Sequence, residues 1–282
     1  MSPVGIALRA GRSRGLLELR QSVTNAGDLF NHFFWPVLML VTLWFLRDRE
    51  FGQSGFPLGA LALPSILGMN AAMAMMTMSQ QLTADREDGT LLRAKATPNG
   101  LLGYLTGKLI SVSGGLLLDL AIFLLPALLL VRGLAADRPA AWLTLLGALL
   151  LGLIATLPTG AVLGSVFTSA RSQGLLTLPI LAVIAISGIF YPITVLPGWL
   201  QGVAQAFPIY WMGLGMRSAL LPPEAVAVEI GDSWRHLETV GVLGAWAVAG
   251  LLIAPVVLRR MARRESGSSV AERRDRALQR VG

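Results

Sequence analysis

Six apolar blocks separated by polar segments dominate the chain. They run Leu29–Leu46, Pro57–Ser79, Leu105–Val131, Ala140–Phe167, Gly174–Phe190 and Thr239–Leu258. Apolar residues follow one another in stretches of about 20 instead of recurring at amphipathic spacing, and that length of helix crosses a hydrocarbon core of roughly 30 Å. The third and fourth blocks have residues to spare for tilt. The pattern predicts an all-α membrane protein with six transmembrane helices, the transmembrane body occupying residues 29–258.

Two further segments follow a different pattern. In residues 1–28, Ile6, Leu8, Leu16, Leu17, Leu19 and Val23 are interleaved with Arg9, Arg12, Arg14 and Arg20. This reads as a basic amphipathic helix lying in the membrane interface, or as a solvated arm. It lacks the apolar core and small-residue cleavage site of a removable signal peptide. After the fifth block, Pro192, Pro197 and Pro208 interrupt an apolar run from Ser187 to Trp211. Proline inside a helix removes a backbone hydrogen bond. The run predicts broken, re-entrant helical segments within an external region of residues 191–238, with Trp199, Tyr210 and Trp211 at the interface. The competing reading is an external amphipathic loop that only packs.

Composition narrows the class. Of the 282 residues, 54% are hydrophobic and 14% charged, with a mean hydropathy of +0.64, whereas soluble domains carry about 25% charged residues. The absence of cysteine excludes a disulfide framework, a thiolate metal site and a cysteine nucleophile. Two histidines, His32 and His236, offer little for a metal centre or a catalytic triad, so no metal site is expected. The net charge of +7 falls on alternate segments. Counting Arg9, Arg12, Arg14, Arg20, Arg86, Arg93, Lys95, Lys108, Arg171 and the eight arginines from Arg259 to Arg280 places 17 of the 23 basic residues on one side. That side is expected to be cytoplasmic, with both termini inside. The basic excess is then topological, and nucleic acid is not an expected partner. Residues 259–282 form a basic cytoplasmic tail, in which Arg259–Arg264 is suited to anionic lipid headgroups.

Chemistry-bearing residues are few. The cytoplasmic loop 80–100 carries Asp85, Glu87 and Asp88, then Gly89, then Leu91 and Leu92 with Arg93 and Lys95. It reads as a short mixed-charge helix whose two leucines dock in a groove on a soluble partner, or as a solvated loop. Asp119 falls near the middle of the third block, where an ionised carboxylate must be paired or wetted; a cargo-cation or proton site and a bonded structural carboxyl are equally consistent with it. Asn70 reads first as a helix–helix hydrogen bond. Met73, with Met69, Met75, Met76 and Met78, reads as packing or as an adaptable surface for apolar cargo. Asn70, Met73 and Asp119 are the candidates for a cargo path. Gly103 and Gly107, like Gly160 and Gly164, permit close helix contact. The run Gly103–Leu109 is not a phosphate loop: three residues separate its glycines, and Leu109 stands where the magnesium-binding hydroxyl belongs. No His-Glu-x-x-His or Gly-x-Ser-Gly motif supports an intramembrane enzyme.

The sequence Asp85-Arg-Glu-Asp-Gly-Thr-Leu91 followed by Lys95-Ala-Thr-Pro98, and the run Gly188, Pro192, Pro197-Gly-Trp-Leu200 and Pro208, resemble ABC type-2 transporter permeases. Drug and antibiotic exporters of the daunorubicin-resistance kind are the nearest group, and the resemblance spans the chain in topology. It implies two permease chains, identical or sister subunits, docked on two cytoplasmic ATPase subunits that bind ATP and magnesium; this chain itself would hold no cofactor and catalyse nothing. It implies that Asp85, Arg86, Glu87, Asp88, Gly89, Thr90, Leu91 and Leu92 form a coupling helix. Spans one, two and five would line the path, with Gly188, Phe190, Pro192, Pro197, Trp199 and Pro208 around its external gate. The setting implied is a bacterial cell membrane, and the cargo a hydrophobic or amphipathic drug, antibiotic or lipid. The alternative is a secondary transporter driven by an ion gradient, although neither a repeat nor several intramembrane charges speak for it.

Overall fold

The computed structural model describes residues 2–49, 57–166 and 170–264. Ten α-helices follow one another: α1 (Pro3–Ser22), α2 (Ala26–Leu46), α3 (Leu58–Glu87), α4 (Thr90–Lys95), α5 (Gly100–Leu130), α6 (Pro139–Val166), α7 (Ala170–Ile186), α8 (Gly198–Ala206), α9 (Pro208–Leu220) and α10 (His236–Arg264). Short 3₁₀ turns at Ile193–Val195, Pro223–Val228 and Ile230–Asp232 complete the described chain. Five helices, α2, α3, α5, α6 and α10, are long and apolar enough to cross a membrane. The fifth block forms α7, whose 17 residues reach only about 25 Å at 1.5 Å per residue. The tail beyond Arg264 and the end of the fourth block at Phe167 lie outside the described residues.

Helix α3 is the axis of the bundle, with Leu63, Ala71 and Met78 fully buried. Small residues set the spacing around it. A Cβ on Gly160 of α6 would lie 2.3 Å from the Met75 carbonyl oxygen, one on Gly164 would lie 2.6 Å from that of Ser79, and Gly68 faces Gly213 of α9. In lipid, where burying apolar surface gains nothing over the solvent, such backbone approach is a main source of helix association. Met75 and Met78 are buried in this packing, while Met69, Met73 and Met76 are half-buried. Prolines 36, 64, 126, 158, 179 and 255 lie inside α2, α3, α5, α6, α7 and α10 in turn. One proline alone therefore does not end a helix in this chain.

Helix α1 docks on α5 through its small residues. Ala7, Gly11 and Gly15 are buried, and a Cβ on Gly11 would lie 2.3 Å from the carbonyl oxygen of Gly103. Ile6, Leu8, Leu16 and Leu17 remain exposed, so the protein contact uses the glycine stripe and leaves the apolar residues facing outward. The Gly103–Gly107 pair is thus a docking surface for α1.

The region after α7 is broken into short helices. α8 lies outermost, with Trp199 71% exposed. α9, begun by Pro208 at its first turn, runs back into the bundle. Tyr210 and Trp211 are 0% and 2% exposed, which corrects their expected place at the interface. The turn at Phe207–Pro208 points both rings inward, where they stack edge to face at 5.0 Å between centroids.

Candidate functional site

Three features of the bundle carry polar chemistry: a charge network at the α4 end, a cavity above it, and a buried turn at the opposite end.

The segment expected to form a coupling helix is not one helix. Residues Asp85, Arg86 and Glu87 form the last turn of α3; Asp88 caps it, Gly89 adopts φ +79°, and Thr90 begins α4. The left-handed glycine turns the chain sharply, and the Asp88 carboxylate accepts the Thr90 amide at 2.7 Å. As a result α4 folds back on α3 and α5. Leu91 is 1% exposed and Thr90 buried, while Leu92 is half-buried. The expectation of two leucines presented to a partner is therefore corrected: Leu91 belongs to this chain's own core. The outward surface is instead polar, formed by Asp88, Arg93 and Lys95.

Directly beneath, α1, α3 and α5 meet in a chain of charges. Lys108 Nζ lies 2.9 Å from Asp85 Oδ2 and 3.3 Å from Glu18 Oε2, and donates to Gln81 Oε1 at 3.4 Å. Tyr104 Oη donates to Asp85 Oδ2 at 2.7 Å. Arg14 pairs with Glu18 at 2.9 Å and stands 5.5 Å over the Tyr104 ring. Burial acts to raise the Glu18 carboxyl, but Arg14 and Lys108 outweigh it and hold the group below the ordinary carboxylate value. Two cations thus neutralise two carboxylates, the arrangement that makes a buried charge tolerable. Lys108 and Glu18 escaped the sequence reading because their partners lie 23 and 67 residues away from Asp85 along the chain.

Above the network opens a cavity of about 600 Å³, lined by Glu18, His32, Trp35, Gln81, Lys108 and their neighbours. The candidate path residues Asn70, Met73 and Asp119 all line it. His32 Nδ1 is paired with Asp119 Oδ1, which ties α2 to α5 beside the cavity. Asn70 Nδ2 donates to the Ile66 carbonyl at 2.8 Å and lies 3.3 Å from Met39 Sδ, so part of its hydrogen bonding is spent on α3 itself. The walls come from α1, α2, α3 and α5; α7, the fifth block, contributes no residue, so this cavity differs from a path lined by spans one, two and five. Its volume suits a drug-sized molecule, and its lining joins polar groups to the Trp35 ring and Met73.

At the far end, the expected gate residues divide. Gly188 and Pro208 are buried, Pro192 is half-buried, and Phe190, Pro197 and Trp199 are exposed. Gly188 has φ +65°, and a Cβ there would meet Ile193 Cβ at 2.9 Å. Behind it, Arg217 of α9 pairs with Glu229 at 2.6 Å, with side chains 8% and 2% exposed. That pair was missed as well, although a lone arginine in the apolar run of α9 followed by an acidic loop was the available signal. Among the described residues no group of three or more His, Asp or Glu side chains could hold a metal ion.

Comparison with known families returns one match. The model of the family described as "ABC-2 type transporter" fits residues 13–221, from α1 through α9. No curated relative matches the chain. With five apolar helices of spanning length and a match over most of its residues, this chain is a multi-pass membrane protein that belongs to the ABC-2 type transporter family.

Proposed function

We propose that the chain is the transmembrane subunit of an ATP-driven exporter of the drug- and antibiotic-resistance kind, moving a hydrophobic or amphipathic compound out of a bacterial cell. Two copies, or this chain and a sister permease, sit on two ATPase subunits that bind ATP and magnesium. α7 crosses as a sixth, short span, α1 lies in the cytoplasmic interface with its exposed leucines toward lipid, and both termini are cytoplasmic. The ATPase engages the polar face of α4 and the adjoining Asp88.

One observation carries this reading: the last turn of the helix that leads into α4 is ion-paired to a residue that lines the cavity. Asp85 lies in that turn, and its partner Lys108 lines the cavity together with Glu18. A displacement of that turn would reach the cavity through an ion pair instead of through a flexible loop. The network supports coupling by rigid-body movement, the commoner repertoire for such transitions.

The test is co-purification with an ABC ATPase encoded beside the chain, comparing hydrolysis with wild type and with Glu87→Ala. Stable association with hydrolysis that depends on Glu87 is expected. A clean, monodisperse permease that retains no ATPase contradicts the proposal.

A second reading rests on the His32–Asp119 pair, which faces the cavity. It would serve a transporter driven by an ion gradient. Transport in ATP-free vesicles driven by a pH gradient alone would favour it.

A further inference from the structure

The end of α7 does not stop at a surface. The turn that follows it, Ser187–Ile189, is buried between α3 and α9, with Ile189 1% exposed. Non-helical backbone at such depth must find its hydrogen bonds inside the protein. Four of the carbonyls here, those of Ile184, Ala185, Gly188 and Ile189, accept from side chains. Ser187 Oγ returns to the Ile184 carbonyl at 2.6 Å, and Tyr191 Oη donates to that of Ala185. Ser65 Oγ of α3 donates to the Ile189 carbonyl at 2.5 Å. Arg217 Nη1 of α9 donates to the Gly188 carbonyl at 3.0 Å.

Of these four donors, Arg217 differs in two ways. It is charged, and it is itself held from a third element: its Nε and Nη2 donate to the two Glu229 oxygens at 2.6 and 3.3 Å. The same loop receives a second tie, from Thr194 Oγ1 to the Val228 carbonyl at 3.2 Å. One guanidinium thus fastens three segments: the turn after α7, helix α9 and the loop before α10. A charge-assisted, two-pronged pair of this kind is stronger than a neutral hydrogen bond and geometrically selective. It is also a discrete contact, either made or broken, which suits a two-state element better than graded packing does.

We infer that Arg217, positioned by Glu229, is the fastener that holds the Ser187–Ile189 turn inside the bundle and so sets how often the external end of the transport path opens. The inference rests on the external-gate reading of the proposed function and assigns the gate its positioning residues. Ile189 is the plug of this gate, seated against Gly68 and Gly213, and Ser65 is the hinge-side contact that persists when Arg217 lets go.

The cysteine-free sequence makes the test direct. Ile189→Cys introduces the only thiol, and a membrane-impermeant maleimide is applied to intact cells expressing it. With Arg217 and Glu229 in place, labelling is expected to be slow. Glu229→Gln, which keeps shape but removes the counter-charge, should raise the labelling rate about tenfold, the order expected for one charge-assisted contact. Arg217→Lys, which keeps the charge but loses the fork, should raise it by less. Arg217→Lys also decides the matter if Glu229→Gln fails to reach the membrane. A lowered melting temperature with unchanged labelling in both variants would make the pair mere packing and overturn the inference, as would labelling only from the cytoplasmic side. The assay needs neither ATP nor cargo, so the chain can fail as an exporter and still show the latch, or export normally with the latch disproved.

Discussion

Lys108 of α5 and Asp85 of α3 form an ion pair of 2.9 Å at the point where the segment leading into α4 meets the cavity. Lys108 is one of only two lysines in the chain, and its side chain is 9% exposed. A long, strongly hydrated cation is kept there because four neighbours use it: Asp85, Glu18, Gln81 and the cavity. Removing one partner of a buried pair leaves the other charge uncompensated, at a cost of about 3–5 kcal/mol, whereas removing both costs much less. Lys108→Met alone should therefore destabilise more than the double variant Asp85→Asn/Lys108→Met. Thermal unfolding in detergent or nanodiscs reads the difference, and equal or additive losses would dissolve the pair as an energetic unit.

The α1–α5 contact depends on absent side chains. A Cβ at Gly11 would lie 2.3 Å from the Gly103 carbonyl oxygen, and one at Gly15 would lie 2.5 Å from that of Gly107. Gly11→Leu should release α1 from α5 at a cost of about 1–3 kcal/mol, exposing α1 amides to hydrogen exchange while α3 and α6 stay protected. Unchanged exchange in α1 would show that the helix is held elsewhere.

The same contact should respond to acid. Glu18 is held below its ordinary value of 4.5 by Arg14 and Lys108 against the opposing effect of burial. A carboxyl lowered on folding contributes stability that is fully present above its unfolded value and is lost as the pH falls through the folded one. Exchange protection in α1 should therefore be flat from pH 7 to about 5 and decline below about 4.5. Glu18→Gln should remove the decline; a decline that persists in this variant would place the titrating group elsewhere.

His32 and Asp119 lie 87 residues apart in sequence and in contact in space. If the cavity accepts cargo, Asp119→Asn should lower transport about tenfold with little change in melting temperature, because the carboxylate keeps partial access to the cavity. Transport at the wild-type rate would remove this cavity from the path.

What the sequence made legible follows from the range of the interactions involved. The long apolar helices are encoded locally by unbroken runs, and the structure mainly lengthens them beyond the apolar core, most of all α3, which continues from Ser79 to Glu87, and α10, which continues from Leu258 to Arg264. The break at Pro208 was legible because a helix-starting proline is a local signal, whereas Gly188 was read as part of the fifth block, and the helix ends before it at Ile186. The pairs Lys108–Asp85, His32–Asp119 and Arg217–Glu229 were not, since each joins separate elements whose approach depends on glycine contacts spread through the bundle. Leu91 shows the same limit: exposed in any short-helix reading, it is buried only because the Gly89 turn folds α4 back. The fifth block is the borderline case, apolar enough to suggest a span but, at 17 residues, too short to establish one.

The most direct test of the account is the coupling ratio of the reconstituted permease–ATPase complex, measured as cargo moved per ATP hydrolysed, for wild type and Lys108→Met. The account predicts that the variant still binds the ATPase and hydrolyses ATP while cargo moved per ATP falls at least about tenfold, because the helix end that leads into α4 is no longer tied to the cavity floor. An unchanged ratio in a stably assembled Lys108→Met complex would contradict it.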